Sequence, residues 1–187
     1  MSDLLLNSLK SFYNKGNNFE ELCGIINNGE EVSLRLIDWF VTNFSKKNNV
    51  IYLVSKTGKK IVETMDDKEH IVQINVFQEY KSQLKAFSKK KFDPFCRRKR
   101  IDFVCKGSKI NTTVGQLNFF RWAITNRILD YIKEDKDIIE DDMNTSLKCT
   151  KDTGKKNKNG RKSRQELSKS ALRGLNKNKL SVCITFD

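Results

Sequence analysis

Apolar residues along this chain recur with two periods, one helical and one alternating, and their order predicts an α+β fold. Leu5, Leu9 and Phe12 fall on one side of a short helix over residues 3–14, ended by Gly16. Phe19 to Ile26 is a second short apolar run, closed by Asn27-Asn28-Gly29. Ser33 is positioned to cap a third helix, in which Leu36, Ile37, Phe40, Val41 and Phe44 recur at helical spacing through Ser45, with Trp39 widening the stripe. After Asn48-Asn49, Val50 to Val54 reads as a strand, Lys56-Thr57-Gly58-Lys59 as a turn and Ile61-Val62 as the returning strand. Ile71 to Ile74 fits either a strand or the start of a helix.

From Asn75 the pattern is helical: Val76, Tyr80, Leu84 and Phe87 sit about one turn apart, with Lys81, Lys85 and Lys89 on a neighbouring face. Asp93-Pro94 ends that helix, because proline disfavours helical geometry in the residue before it. Arg100 to Cys105 alternates as a strand with Ile101 and Phe103 on one face, Gly107-Ser108 turns the chain, and Lys109-Ile110-Asn111 returns. Thr113 with Gln116 matches a capping box, so a helix opens at Val114. Leu117, Phe119, Phe120, Trp122, Ile124, Ile128, Leu129 and Tyr131 cover more than half of its circumference, as in a central helix packed from two sides. Its expected end is the acidic run Glu134 to Asp142.

The expectation is a single, mainly helical α+β domain with two small β-hairpins over residues 1–144. A basic flexible arm over 145–179 follows, low in large apolar residues. The last residues, 180–187, alternate again at Leu180, Val182, Ile184 and Phe186. They read as a short docking strand for a sheet edge of the same domain or of a partner protein.

Charge changes this picture most. The formal net charge is +13, and it is unevenly spread. Residues 1–84 carry −1, residues 85–109 carry +8 from ten basic and two acidic side chains, residues 110–144 carry −3, and residues 145–187 carry +9. Two separated blocks therefore hold the excess, and a polyanion is the natural partner. In the first block the candidate phosphate ligands are Lys85, Lys89, Lys90, Lys91, Arg97, Arg98, Lys99, Arg100, Lys106 and Lys109. In the arm they are Lys155, Lys156, Lys158, Arg161, Lys162 and Arg164, which also suit a nuclear import signal. Phe87, Phe92, Phe95 and Phe103 interleave the first block. Phe92 and Phe95 are candidates to stack on unpaired bases, although rings beside Pro94 more often anchor a loop. The bland alternative is a solvated helix face beside two core rings. Arg121, on an otherwise apolar helix, is expected to meet an internal carboxylate.

Catalytic and metal chemistry find little support. His70 is the single histidine, the five cysteines (Cys23, Cys96, Cys105, Cys149 and Cys183) form no close pair, and Glu140-Asp141-Asp142 reads as a frayed helix end. No phosphate-binding GxxxxGK[ST] loop, GxSxG elbow or HExxH motif occurs. No cofactor, metal or catalytic residue is expected, and no enzyme. Neither a signal peptide nor an apolar stretch of about 20 residues is present, so free thiols in a reducing compartment and no membrane partner are expected.

The words YKSQLKAFSKKKFDPFCRR, TTVGQLNFFRWAI and ILDYI within Tyr80–Ile132, with RKSRQELSKSALRGLNKNK before the final strand, resemble a conserved protein of unknown function from nucleocytoplasmic large DNA viruses of the mimivirus type. The resemblance implies a viral setting, in the virion or the cytoplasmic viral factory, and carries no catalytic residues with it. The expected function is a non-enzymatic, largely sequence-independent nucleic-acid-binding protein, with DNA ahead of RNA, in genome packaging or as a transcription accessory. The alternative is a structural or scaffold protein of the virion or a viral complex, docking through Leu180, Val182, Ile184 and Phe186.

Overall fold

In a computed structural model the protein is described over residues 2–27, 32–55, 60–62 and 71–152. The arm beyond residue 152, the terminal strand, the 56–59 turn and His70 lie outside these residues. Among the described residues eight α-helices and five strands follow in the order α1 (Ser2–Tyr13), α2 (Asn18–Asn27), α3 (Leu34–Trp39), a π-helical turn (Phe40–Phe44), α4 (Ser45–Lys47), β1 (Ile51–Ser55), β2 (Lys60–Val62), β3 (Ile71–Asn75), α5 (Val76–Lys91), β4 (Ile101–Cys105), β5 (Ser108–Thr112), α6 (Val114–Thr125), α7 (Ile128–Glu134) and α8 (Lys136–Asp152). The architecture is α+β, mainly helical with two small antiparallel sheets.

Local signals place most of the element starts. Ser33 Oγ accepts from Leu36 N at the head of α3, Asn75 Oδ1 from Gln78 N at the head of α5, and Thr113 Oγ1 from Gln116 N at the head of α6. The β4–β5 hairpin closes over Lys106 (φ 48°) and Gly107 (φ 77°), both left-handed, which is the two-residue turn whose twist matches that of the strands. Ile71 to Asn75 resolves as a strand, pairing antiparallel with β1 on the side opposite β2. The first sheet is therefore three-stranded, in the order β2-β1-β3, and more than the expected hairpin. Tyr52 and Val54 point from it into the core.

The core is centred on α6, whose residues Gly115 to Phe120 are all buried. Phe92, Phe119 and Trp122 pack edge to face or tilted, with centroids 5.1–5.6 Å apart. Tyr13 donates to Leu117 O at 2.7 Å and Tyr52 to Asn126 O at 2.8 Å, tying α1 and the first sheet to opposite ends of α6. Burial holds both phenols well above their ordinary pKa.

Three helical expectations are corrected. The helix expected from Val114 into the acidic run is broken at Arg127, which takes a left-handed conformation (φ 54°). Its guanidinium binds Asp130 and reaches Glu21 on α2 at 3.2 Å, contacts that favour the bend over a straight helix. Helix α7 does end at Glu134, the first residue of the acidic run, but after Asp135 a new helix, α8, carries the rest of the run. Asp142 accepts from Trp39 Nε1 at 3.0 Å and pairs with Lys47, fastening α8 to the α3–α4 segment. Helix α8 also continues to Asp152, past residue 144, where the sequence alone suggests that the folded part stops. Finally, α5 is interrupted at Ser88 (φ 56°, ψ 166°), so the helical row Lys81–Lys85 does not extend regularly to Lys89.

Candidate nucleic-acid interface

The basic block begins in the last turn of α5 and runs through the loop 92–100 into the β4–β5 hairpin. The loop is held by its backbone. Asn118 Nδ2 donates to Lys91 O at 2.9 Å, Gln116 Nε2 to Pro94 O at 3.0 Å, and Asp93 N to Gly115 O at 3.2 Å. Gln116, read from sequence as the far half of a capping box, uses its side chain differently: Oε1 accepts from Thr112 Oγ1 at 2.7 Å. Gly115 allows this close approach, since a Cβ there would stand 3.3 Å from Lys90 O and 3.5 Å from Phe92 N. Phe92, 1% exposed, drives the loop into the core between Tyr80, Phe119 and Trp122. The backbone is thus fixed against the first turn of α6 while the side chains of residues 97–100 remain exposed.

The aromatics divide by role. Phe92 and Phe103 are core residues, as the proximity of Pro94 favours for Phe92, and Phe87 is half-buried. Phe95 is half-buried with the Arg97 guanidinium over its ring, 4.7 Å from the centroid. Asp93, 7% exposed, accepts from Phe95 N at 3.1 Å and from Arg97 Nε and Nη2 at 3.1 and 3.0 Å.

The cations divide too. Arg97 forks onto Asp93, Lys109 pairs with Asp102 at 2.9 Å, and Lys106 pairs with Glu20 at 3.0 Å while also donating to Gly16 O. Lys89 and Lys91 are half-buried, and Lys89 lies close enough to the buried Asp38 to lower its pKa. Lys85, Lys90, Arg98, Lys99 and Arg100 are exposed and make no ion pair among the described residues. Arg100 instead donates to Asn111 Oδ1 at 3.3 Å. Lys155, Lys156, Lys158, Arg161, Lys162 and Arg164 lie outside the described residues, as do Leu180, Val182, Ile184 and Phe186.

Beneath the loop sits a group that sequence reading did not single out. Asp38 is 6% exposed, and burial together with the nearby Asp93 charge raises its pKa to about 6, against the opposing effect of Arg97 and Lys89. Only its place in the apolar stripe of α3, between Ile37 and Trp39, hinted that a carboxyl would be buried there. The expectation for Arg121 is corrected: it donates to Ser8 Oγ at 3.0 Å and Asn118 Oδ1 at 2.7 Å, and no carboxylate is among these partners. Arg121 thereby orients the amide that holds Lys91.

The site is a solvent-facing cationic loop, anchored at its start, on an aromatic-cored α+β domain. The chain belongs to DUF7197, a family of unknown function, which it matches over residues 1–187. It is similar to the uncharacterized protein L507 of Acanthamoeba polyphaga mimivirus, 42% identical over 154 residues that cover 78% of this chain and 52% of that protein. The chain thus spans about half the length of this curated relative, which comes from a giant virus, as the wording of residues 80–132 implied. No solved structure matches the chain.

Proposed function

We propose that this is a non-enzymatic nucleic-acid-binding protein that takes the phosphate backbone largely without regard to sequence. It would act in the virion or viral factory, in packaging or transcription of the genome. The observation that carries the reading is the anchored loop: Arg98, Lys99 and Arg100 are adjacent, exposed and without a carboxylate partner among the described residues, on a loop whose first residues are bonded to α6. Guanidinium forks suit phosphate oxygens, and fixing the loop in advance lowers the entropy lost on binding. Lys85 and Lys90 extend the same charge along α5. In this reading the arm cations, Lys155 to Arg164, add avidity to the loop.

Titrating DNA binding against salt tests it. Each neutralised phosphate steepens the fall of log affinity with log salt by about 0.9 on duplex DNA. The triple replacement of Arg98, Lys99 and Arg100 by alanine is expected to flatten that slope by about two to three. Affinity indifferent to salt, or an unchanged slope in the triple variant, would sink the proposal.

A further inference from the structure

Arg97 is poorly suited to the role of its three neighbours. Its charge already faces Asp93 through two hydrogen bonds, so it has little to offer a phosphate. Its shape is another matter. One edge of the guanidinium is fixed by the Asp93 carboxylate, the group sits over the Phe95 ring, and the side chain is nevertheless 62% exposed. Asp93 is itself locked by Phe95 N and by the loop's backbone bond to Gly115, so the plane has little freedom to turn.

A charge-compensated guanidinium seated over an aromatic ring is a surface for stacking, and nucleobases stack on arginine planes as they do on aromatic rings. We infer that Phe95 and Arg97 form a platform for an unpaired nucleobase, so that the ligand of the loop is a single-stranded nucleic acid. Arg98, Lys99 and Arg100 would hold the phosphates flanking that base. This inference rests on the phosphate-binding reading above and adds a preference to it. Phosphate contacts alone favour the duplex, with its higher charge density, whereas a stacking platform favours strands whose base faces are open.

The test uses the full chain and fluorescence anisotropy with four probes of equal length: oligothymidylate, oligouridylate, an abasic deoxyribose-phosphate strand and duplex DNA. The base-bearing strands are expected to bind about tenfold tighter than the abasic one, the size of one stacked base. Arg97→Lys, which keeps the charge and removes the plane, is expected to close that gap, and Phe95→Leu to narrow it. Arg98→Ala should weaken binding to all four probes alike. Comparing the deoxy- and ribo-oligonucleotides shows whether the platform serves DNA or RNA. Equal affinity of the wild-type chain for base-bearing and abasic strands overturns the platform and leaves phosphate binding standing. Absence of salt-dependent binding to every probe overturns both, and neither result depends on a variant folding.

Discussion

The loop 92–100 and the hairpin it feeds, β4–β5, are both rich in cations, yet the structure uses their charges in opposite ways. In the hairpin Lys106 and Lys109 meet Glu20 and Asp102, and the positive residues fasten strands and helix together. In the loop a single carboxylate, Asp93, takes Arg97, and the next three cations face water. The difference teaches that a run of positive charge is left facing water where the backbone under it is secured by other means. Here those means are uncharged: the Asn118 and Gln116 amides, the Gly115 approach and the Phe92 ring. The hairpin is anchored by the buried Phe103 and by Cys105, whose Sγ bonds Asn14 Oδ1, and its two lysines add exposed ion pairs to that anchor.

Four substitutions would break or sharpen this contrast. The largest effect belongs to Phe92→Ala, which removes the ring beneath the loop and leaves a cavity beside Phe119 and Trp122. It is expected to cost about 3–5 kcal/mol by urea denaturation. A loss under about 1 kcal/mol would mean that the loop is not anchored through its core residue.

Next is Asp38→Asn. A carboxyl raised from 3.8 to about 6 binds its proton more tightly folded than unfolded, so its own contribution to stability is greatest at acid pH. It declines as pH rises from about 4 to about 6 and is level above that. Removing the charge is expected to stabilise the protein by about 1–3 kcal/mol at pH 7, with the gain shrinking toward zero near pH 4. Denaturation midpoints of both proteins across that range would check it, and a gain that grows toward acid pH would contradict the buried placement.

Ser88→Gly comes third. The backbone at φ 56°, ψ 166° lies in a region that is essentially reserved for glycine, and relief of the strain should add about 1 kcal/mol. A destabilised variant would show that the interruption in α5 is absent in solution.

Lys106→Ala is the smallest. Exposed ion pairs contribute little, so its melting temperature should scarcely move and its DNA affinity should equal that of the wild type, whereas Arg98→Ala loses affinity at unchanged stability. A loss of affinity from Lys106→Ala matching that of Arg98→Ala would erase the distinction between hairpin and loop.

Short-range signals were legible before any coordinates. Ser33 and Thr113 cap the helices they precede, Gly107 turns the hairpin (with Lys106 rather than Ser108 as its turn partner), and Pro94 follows the end of α5, because each acts through backbone groups within four residues of itself. The break at Arg127 was not legible, since the contact to Glu21 spans 106 positions, and neither was the passage of α8 through its acidic run, where Asp142 answers Trp39 from 103 positions away. The basic block itself was evident from the sequence, but its division was not. Which lysine meets a carboxylate depends on partners such as Glu20, 86 residues distant from Lys106.

The sequence by itself determined the fold class, the order of most elements, the caps and the quantity of positive charge, because periodicity, turn chemistry and charge are properties of neighbouring residues. Only the tertiary structure decided that Arg98, Lys99 and Arg100 stand clear while Arg97, Lys106 and Lys109 are tied down, and that Asp38 is buried near Arg97 and Lys89. Desolvation and ion pairing depend on distances of a few ångströms between distant parts of the chain, and those distances come into being only when the core around α6 closes.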